Sequence, residues 1–101
     1  MNVQIQTVHF DADQKLVDHV QKKLGKLKTF HDSITGVEVF LKLDSMSQKV
    51  RDKVAEIKVS IPKHSLFAKA ESKIFEESFD NAFDSLVGQI KKHKEKKRLI
   101  A

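Results

Sequence analysis

Three groups of side chains in this sequence have the types and spacing to do chemistry. They are a set of carboxylates, five histidines and a run of cations. Asp80 and Asp84 stand one helical turn apart, with Glu76 and Glu77 just before them. Carboxylates paired in this way can exchange protons or hold a hard metal ion. Acids in the first half of a helix also complement its dipole, and these four read as outward-facing residues of that kind. His9, His19, His31, His64 and His93 are scattered along the chain. None forms an H-x-x-x-H pair, and there is no cysteine to complete a zinc ligand set. A surface or loop position is the plain reading of each, and only His93, which lies within the basic run, stands out. No G-x-S-x-G element and no Gly-rich phosphate loop is present, and three glycines are too few for such a cradle. Nothing here points to an enzyme, a cofactor, a metal or a small-molecule substrate.

The cations remain. From Lys91 to Arg98 the chain reads KKHKEKKR, six basic residues against the single acid Glu95. The whole chain has 19 Lys+Arg and 14 Asp+Glu, so setting that run aside leaves 13 of each. The formal charge of +5 therefore resides in one short stretch. With a pI near 9.5, the expected partner is acidic, a nucleic acid or an anionic membrane surface. The run lacks the large apolar face of an interfacial helix, which favours nucleic acid and argues against a membrane.

At 100° per residue, Phe79, Phe83, Leu86 and Ile90 fall in one sector of a helix. Lys91, Lys92, Glu95 and Arg98 point well away from it, and Lys96 lies on a flank. His93, Lys94 and Lys97 continue the apolar stripe, where polar groups would be poorly placed in a core. The helix is therefore expected to divide at Ile90, with core before that point and a cationic probe, exposed on all sides, after it. Gly88 lies opposite the stripe just before the divide. A second cluster sits on an earlier helix. Lys15, Lys22 and Lys26 fall on its solvent side, and Lys23 and Lys28 flank its apolar stripe. In an antiparallel or splayed helix pair both clusters would line one electropositive face. Lysines on a helix are also commonly just solvated, and both readings stand.

The elements that must position these residues follow from periodicity. Val3, Ile5 and Thr7 alternate with Gln4, Gln6 and Val8, a strand with one buried face. Asp11 has the chemistry of a helix N-cap, with Gln14 completing a capping box. Leu16, Val17, Val20, Leu24 and Leu27 define an amphipathic helix from Ala12 to about Lys28, which Gly25 weakens but does not end. A loop spans His31 to Gly36. Val37, Val39, Leu41 and Leu43 mark a second strand, and residues 44–49 a polar connection. Ala55, Ile57, Val59 and Ile61 mark a third strand, ended by Pro62. After a turn at Lys63–Ser65, Leu66, Ala68 and Ala70 mark a fourth. Ser72 suits the cap of a last helix over about 74–98. The fold class is α+β in the order β-α-β-β-β-α. It predicts one four-stranded sheet with two helices packed on one face, a layering like that of double-stranded-RNA-binding domains. The other face is expected to be wet, with Val8, Phe40, Val54 and Phe67 scattered among polar residues.

A length of 101 residues fits one domain, residues 1–101, of which 91–101 form the basic helix end. The N-terminus has no apolar segment of the secretory kind, and no apolar run approaches membrane-spanning length. Together with the lack of cysteine this suits a cytoplasmic protein.

Three stretches of the chain resemble the ribosome hibernation promoting factors and ribosome-associated inhibitor proteins. They are VQIQTVHFDADQKLVDHVQKKLGKLKTF, AEIKVSIPKHSLFAKAE and FDNAFDSLVGQIKKHKEK. The last is the most specific, with Asp80, Asp84, Leu86, Gln89 and the K-K-H-K-x-K ending. The likeness runs over essentially the whole chain. It implies a β-α-β-β-β-α domain that binds the 30S subunit and the 70S ribosome through 16S rRNA. Such a protein fills the mRNA and tRNA channel and silences translation in starved or stationary-phase bacteria. Carried over by position, Lys23 and Lys26 match basic positions of the first helix, and Gln89, Lys92 and Lys94 match the final helix motif. The rRNA-binding set expected from charge and resemblance together is Lys22, Lys23, Lys26, Gln89, Lys91, Lys92, His93, Lys94, Lys96, Lys97 and Arg98. The Arg often found before the motif's Gln is Gly88 here, a departure that removes one phosphate contact. The chain ends after the helix and so looks like a short form. The rival readings are a general double-stranded RNA binder and a protein-interaction domain whose basic tail keeps it soluble.

Overall fold

The structure, a computed structural model, describes residues 1–44 and 52–100, with side chains as far as Lys96. Most of the expected 44–49 connection and the side chains of Lys97 and Arg98 lie outside the described residues. The elements are β1 (Asn2–Val8), α1 (Gln14–Leu24), a 3-10 turn (Leu27–Thr29), β2 (Gly36–Leu43), β3 (Lys53–Ile61), β4 (His64–Ser72) and α2 (Phe75–Ile100). The strands form one sheet in the order β1-β2-β3-β4. β1 and β2 are parallel, joined by the α1 crossover, and the other two pairings are antiparallel.

The period-two pattern of the strands sets the core. Val37, Val39 and Leu41 of β2 and Ala55, Ile57, Val59 and Ile61 of β3 all face the helices. Leu16, Val20, Leu24 and Leu27 cover them from α1 and its 3-10 extension, and Phe79, Ala82, Phe83, Leu86 and Ile90 from α2. Both helices thus lie on one face. At about 25 cal/mol per Å² of apolar surface, this single cluster is the main source of stability.

Several local expectations shift. The N-cap of α1 is Asp13, not Asp11: its Oδ1 accepts the Leu16 N–H at 2.8 Å. Either aspartate has the right chemistry, and tertiary packing chooses between them. His9 turns the chain with φ 68°, and Phe10 stacks on Phe75 of α2 at 4.2 Å between ring centroids. Gln14 then bonds Asp18 one turn on, at 2.7 Å, instead of closing a capping box. Gly25 does end the α-helix, which tightens into the 3-10 turn beyond it. The β3–β4 hairpin is tighter than expected, since Ile61 already pairs with His64. Pro62 takes the first turn position, and Lys63, with φ 66°, takes the second, the sequence logic of a type II turn. Val54, expected on the wet face, is buried. Ser72 is not the cap expected of it. α2 begins at Phe75, and Ile74 holds the N-cap position, with its carbonyl accepting the Ser78 N–H. The Ser72 hydroxyl accepts the Ile74 N–H at 3.2 Å just before the helix. It also meets the buried Ser78 hydroxyl at 2.6 Å, and Ser78 donates to the Lys53 carbonyl at 2.6 Å. That polar node ties the start of α2 to the start of β3.

Candidate nucleic-acid interface

α2 has 26 residues and so runs about 39 Å at 1.5 Å per residue. It travels back along β4, and its contacts show where it leaves the sheet. Gln89 Nε2 donates to the Phe67 carbonyl at 2.7 Å. Lys91 Nζ stands 5.6 Å from the centroid of the Phe30 ring, a cation–π contact. His93 is half-buried, with its ring 5.6 Å from His31 and 5.0 Å from His64. The expected divide at Ile90 is therefore too early. The imidazole of His93 fills the next position of the apolar stripe, and the helix leaves the body after it. Lys94, Glu95 and Lys96 are exposed, as are Lys91 and Lys92 before them.

The two helices advance in the same sense. His19 meets Asp80 at 2.7 Å and is edge-on to Phe79, while Lys23 reaches Asp80 at 3.0 Å and lies over Phe83. Further on, Phe30 lies beneath Lys91 and His31 beside His93. An antiparallel pair would carry the two lysine clusters to opposite ends. This arrangement instead sets Lys22, Lys26 and Lys28, all exposed, alongside the half of α2 that leads to Lys91. The β3–β4 turn joins them through His64, bringing the exposed Lys63 to the same end.

Placed residue by residue, the expected site gathers unevenly. Lys22, Lys26, Lys91, Lys92, Lys94 and Lys96 carry exposed side chains near one end of the molecule. Lys23 is there too, but its ammonium is held by Asp80. Gln89 spends one amide N–H on β4. Asp80, expected to point outward, is turned to α1. Burial pushes its carboxyl up, but the hydrogen bonds from His19 and Lys23 outweigh that and hold it below its usual value. Asp84 is exposed as expected.

Sequence reasoning missed His31, His64 and Lys63. His31 is buried, and its Nδ1 accepts the Ser33 N–H at 3.1 Å. Each of these residues is isolated in sequence, and only the sheet topology joins them. Among the described residues no group of histidine, aspartate or glutamate side chains is arranged to hold a metal ion. Among the described residues no helix is long and apolar enough to cross a membrane.

The family model described as "Sigma 54 modulation protein / S30EA ribosomal protein" matches residues 3–98. The chain is 36% identical to the ribosome hibernation promoting factor of Pseudomonas putida over 100 residues, covering 99% of this chain and 93% of that one. Its fold is that of a ribosomal subunit interface protein of Coxiella burnetii, with a TM-score of 0.81 at 23% identity, over 94% of this chain and 99% of that one. It also superposes on the N-terminal domain of Protein Y of Thermus thermophilus, with a TM-score of 0.77 at 26% identity, over 92% and 99%. A chain matched over nearly its whole length, with a mixed four-stranded sheet under two helices and a cationic helix end, belongs to the Sigma 54 modulation protein / S30EA ribosomal protein family, whose members include the ribosome hibernation promoting factors.

Proposed function

We propose that this chain is a non-enzymatic inhibitor of translation that binds the 30S subunit, alone and within the 70S ribosome. It does so in the bacterial cytoplasm, in stress or stationary phase. It enters the channel that mRNA and tRNA use, and its lysines meet 16S rRNA phosphates. The observation that carries this reading is the meeting of the α1 lysines and the α2 overhang at one end of the molecule. Phosphate contacts of this kind give affinity without sequence reading, and structured RNA is recognised largely by its shape and backbone. A plug of this sort needs charge and rigidity and no turnover. The names of the matched proteins, a hibernation promoting factor and a ribosomal subunit interface protein, point the same way. The rRNA-facing set is Lys22, Lys26, Lys91, Lys92, Lys94 and Lys96, with Lys23, Gln89 and His93 fixing the helix that carries it.

Sedimentation through a sucrose gradient tests the proposal. The chain should travel with 30S and 70S particles at low salt and return to the top as salt is raised. A chain that stays at the top at low salt is not a ribosome-binding protein. One that binds any duplex RNA equally well is a general RNA binder.

A further inference from the structure

α2 leaves the body between two supports. Gln89 bonds Phe67 and His93 lies beside His64, so the helix passes the tip of the β3–β4 hairpin as it exits. On its other side Lys91 covers Phe30 and His93 meets His31, at the exit of α1. The α1 support carries Lys22, Lys26 and Lys28, all exposed. The hairpin tip carries one lysine, Lys63, which is also exposed.

Lys63 stands in a backbone conformation that a lysine does not favour. Its φ of 66° lies in the left-handed region, and glycine or asparagine is the usual occupant of this position in a type II turn. One other non-glycine residue among those described has a positive φ, His9, and there the turn delivers Phe10 onto Phe75. No such packing follows from Lys63. Its ammonium has no ion-pair or hydrogen-bond partner among the described residues. The sequence has no acid from Ile57 to Ala70, so the tip offers it none. Pro62 fixes the backbone just before it, and His64 rests against His93, which sets the distance from the turn to the helix. Strained residues cluster where ligands are held, and here no contact among the described residues offsets the strain.

We propose that Lys63 is a further rRNA-phosphate contact, meeting the RNA on the hairpin side of α2 as the α1 lysines meet it on the other. This rests on the ribosome-binding reading and extends it. The turn is the mount and the ammonium is the point charge that a phosphate recognises. The overhang of α2 then has phosphates on two flanks, as a helix end inside a groove does, and does not lie along a single strand.

The test measures ribosome affinity against salt for the full chain. Lys63→Asn removes the charge and suits the positive φ. It should weaken binding about fivefold near 0.1 M salt and lower the slope of log affinity against log salt by about 0.7 to 0.9. It should melt no lower than the parent. Lys63→Gly should bind as Lys63→Asn does and melt within about 2 °C of the parent, since relief of the turn is offset by a freer unfolded chain. Lys63→Arg keeps the charge and should bind like the parent. Lys58 is exposed on the sheet face turned away from the helices, so Lys58→Gln removes an equal charge and should leave the slope unchanged. An unchanged slope in Lys63→Asn overturns the proposal. So does a Lys58→Gln slope lowered as far, which would report net charge alone, or a Lys63→Arg chain that binds no better than Lys63→Asn. A Lys63→Asn chain that melts well below the parent overturns it as well, because the turn would then not be strained. In each of these cases the ribosome-binding reading stands if the parent binds and changing Lys92, Lys94 and Lys96 together to Ala lowers the slope. A parent that does not bind ribosomes at low salt overturns both.

Discussion

His19 Nε2 and Asp80 Oδ1 meet at 2.7 Å across the two helices, and Lys23 Nζ shares the same oxygen at 3.0 Å. One carboxylate thereby gathers two groups from successive turns of α1 and sets the register of the helix pair. That register carries the α1 lysines to the end where α2 leaves the sheet. An acid that looked like a dipole partner is a strut of the cationic face.

Replacing that strut gives the first prediction. Asp80→Asn keeps the shape and removes the charge. All three side chains are about one-third exposed, so solvent screens the pair and the loss should stay below about 1 kcal/mol. The melting temperature should fall by up to ~5 °C. Burial raises the Asp80 carboxyl, but the hydrogen bonds from His19 and Lys23 prevail and lower it. A lowered folded value means the contribution is complete above the unfolded value, roughly 4, and is lost as pH falls through the folded one. Thermal melts of parent and variant should therefore converge as pH falls below about 4. A gap that stays constant as the carboxyl is protonated would assign the effect to packing instead of charge.

The second prediction concerns the overhang. Lys92, Lys94 and Lys96 are exposed and touch none of the core. Changing all three to Ala should leave the melting temperature within about 2 °C, as surface substitutions usually do. Each phosphate contact contributes roughly 0.7 to 0.9 to the slope of log affinity against log salt. The triple variant should lower that slope for ribosome binding by about 2 to 3. An unchanged slope would make these lysines a solvated helix end.

Much of this was legible in the sequence, and the limits have physical causes. Strict alternation in Val37–Val39–Leu41 and Ala55–Ile57–Val59 fixed strand faces, because a slip of one residue would expose the whole set. The apolar stripe of α2 was equally plain up to Ile90. Beyond it, periodicity could not say whether His93 was buried. That depended on His31 and His64, which arrive from a loop and a turn remote in sequence. The cap of α1 was missed for a similar reason. Asp11 and Asp13 are chemically equivalent there, and the Phe10–Phe75 stack that decides between them is a tertiary contact. Gln89 carried a motif position, but its bond to β4 had no local signal.

Gly88 gives the third prediction. A Cβ built there meets nothing within 4 Å, so a side chain can begin there without a clash. Gly88→Ala should stabilise the chain by about 0.5–1 kcal/mol, since glycine in a helix interior loses more backbone entropy than alanine. Gly88→Arg should add a cation one residue before Gln89, on the flank of the interface. Ribosome affinity should rise and the salt slope should steepen by close to ~1. A Gly88→Arg chain that binds no better than Gly88→Ala would place this side of the helix away from the RNA.

His93 gives the last. Its ring touches those of His31 and His64, and through them the helix is pinned to the exit of α1 and to the β3–β4 turn. His93→Ala removes both contacts without disturbing Ile90 beneath. The last anchored turn should then open more often, and backbone amides from Lys91 to Lys96 should exchange with solvent several-fold faster while the core amides are unchanged. His93→Phe restores a planar ring of similar reach and should restore most of the protection. Ribosome affinity should follow the same order, parent and Phe above Ala, because a pinned helix loses less freedom on docking. If His93→Phe binds as poorly as His93→Ala while keeping its amides protected, the imidazole itself contacts RNA and its role is direct.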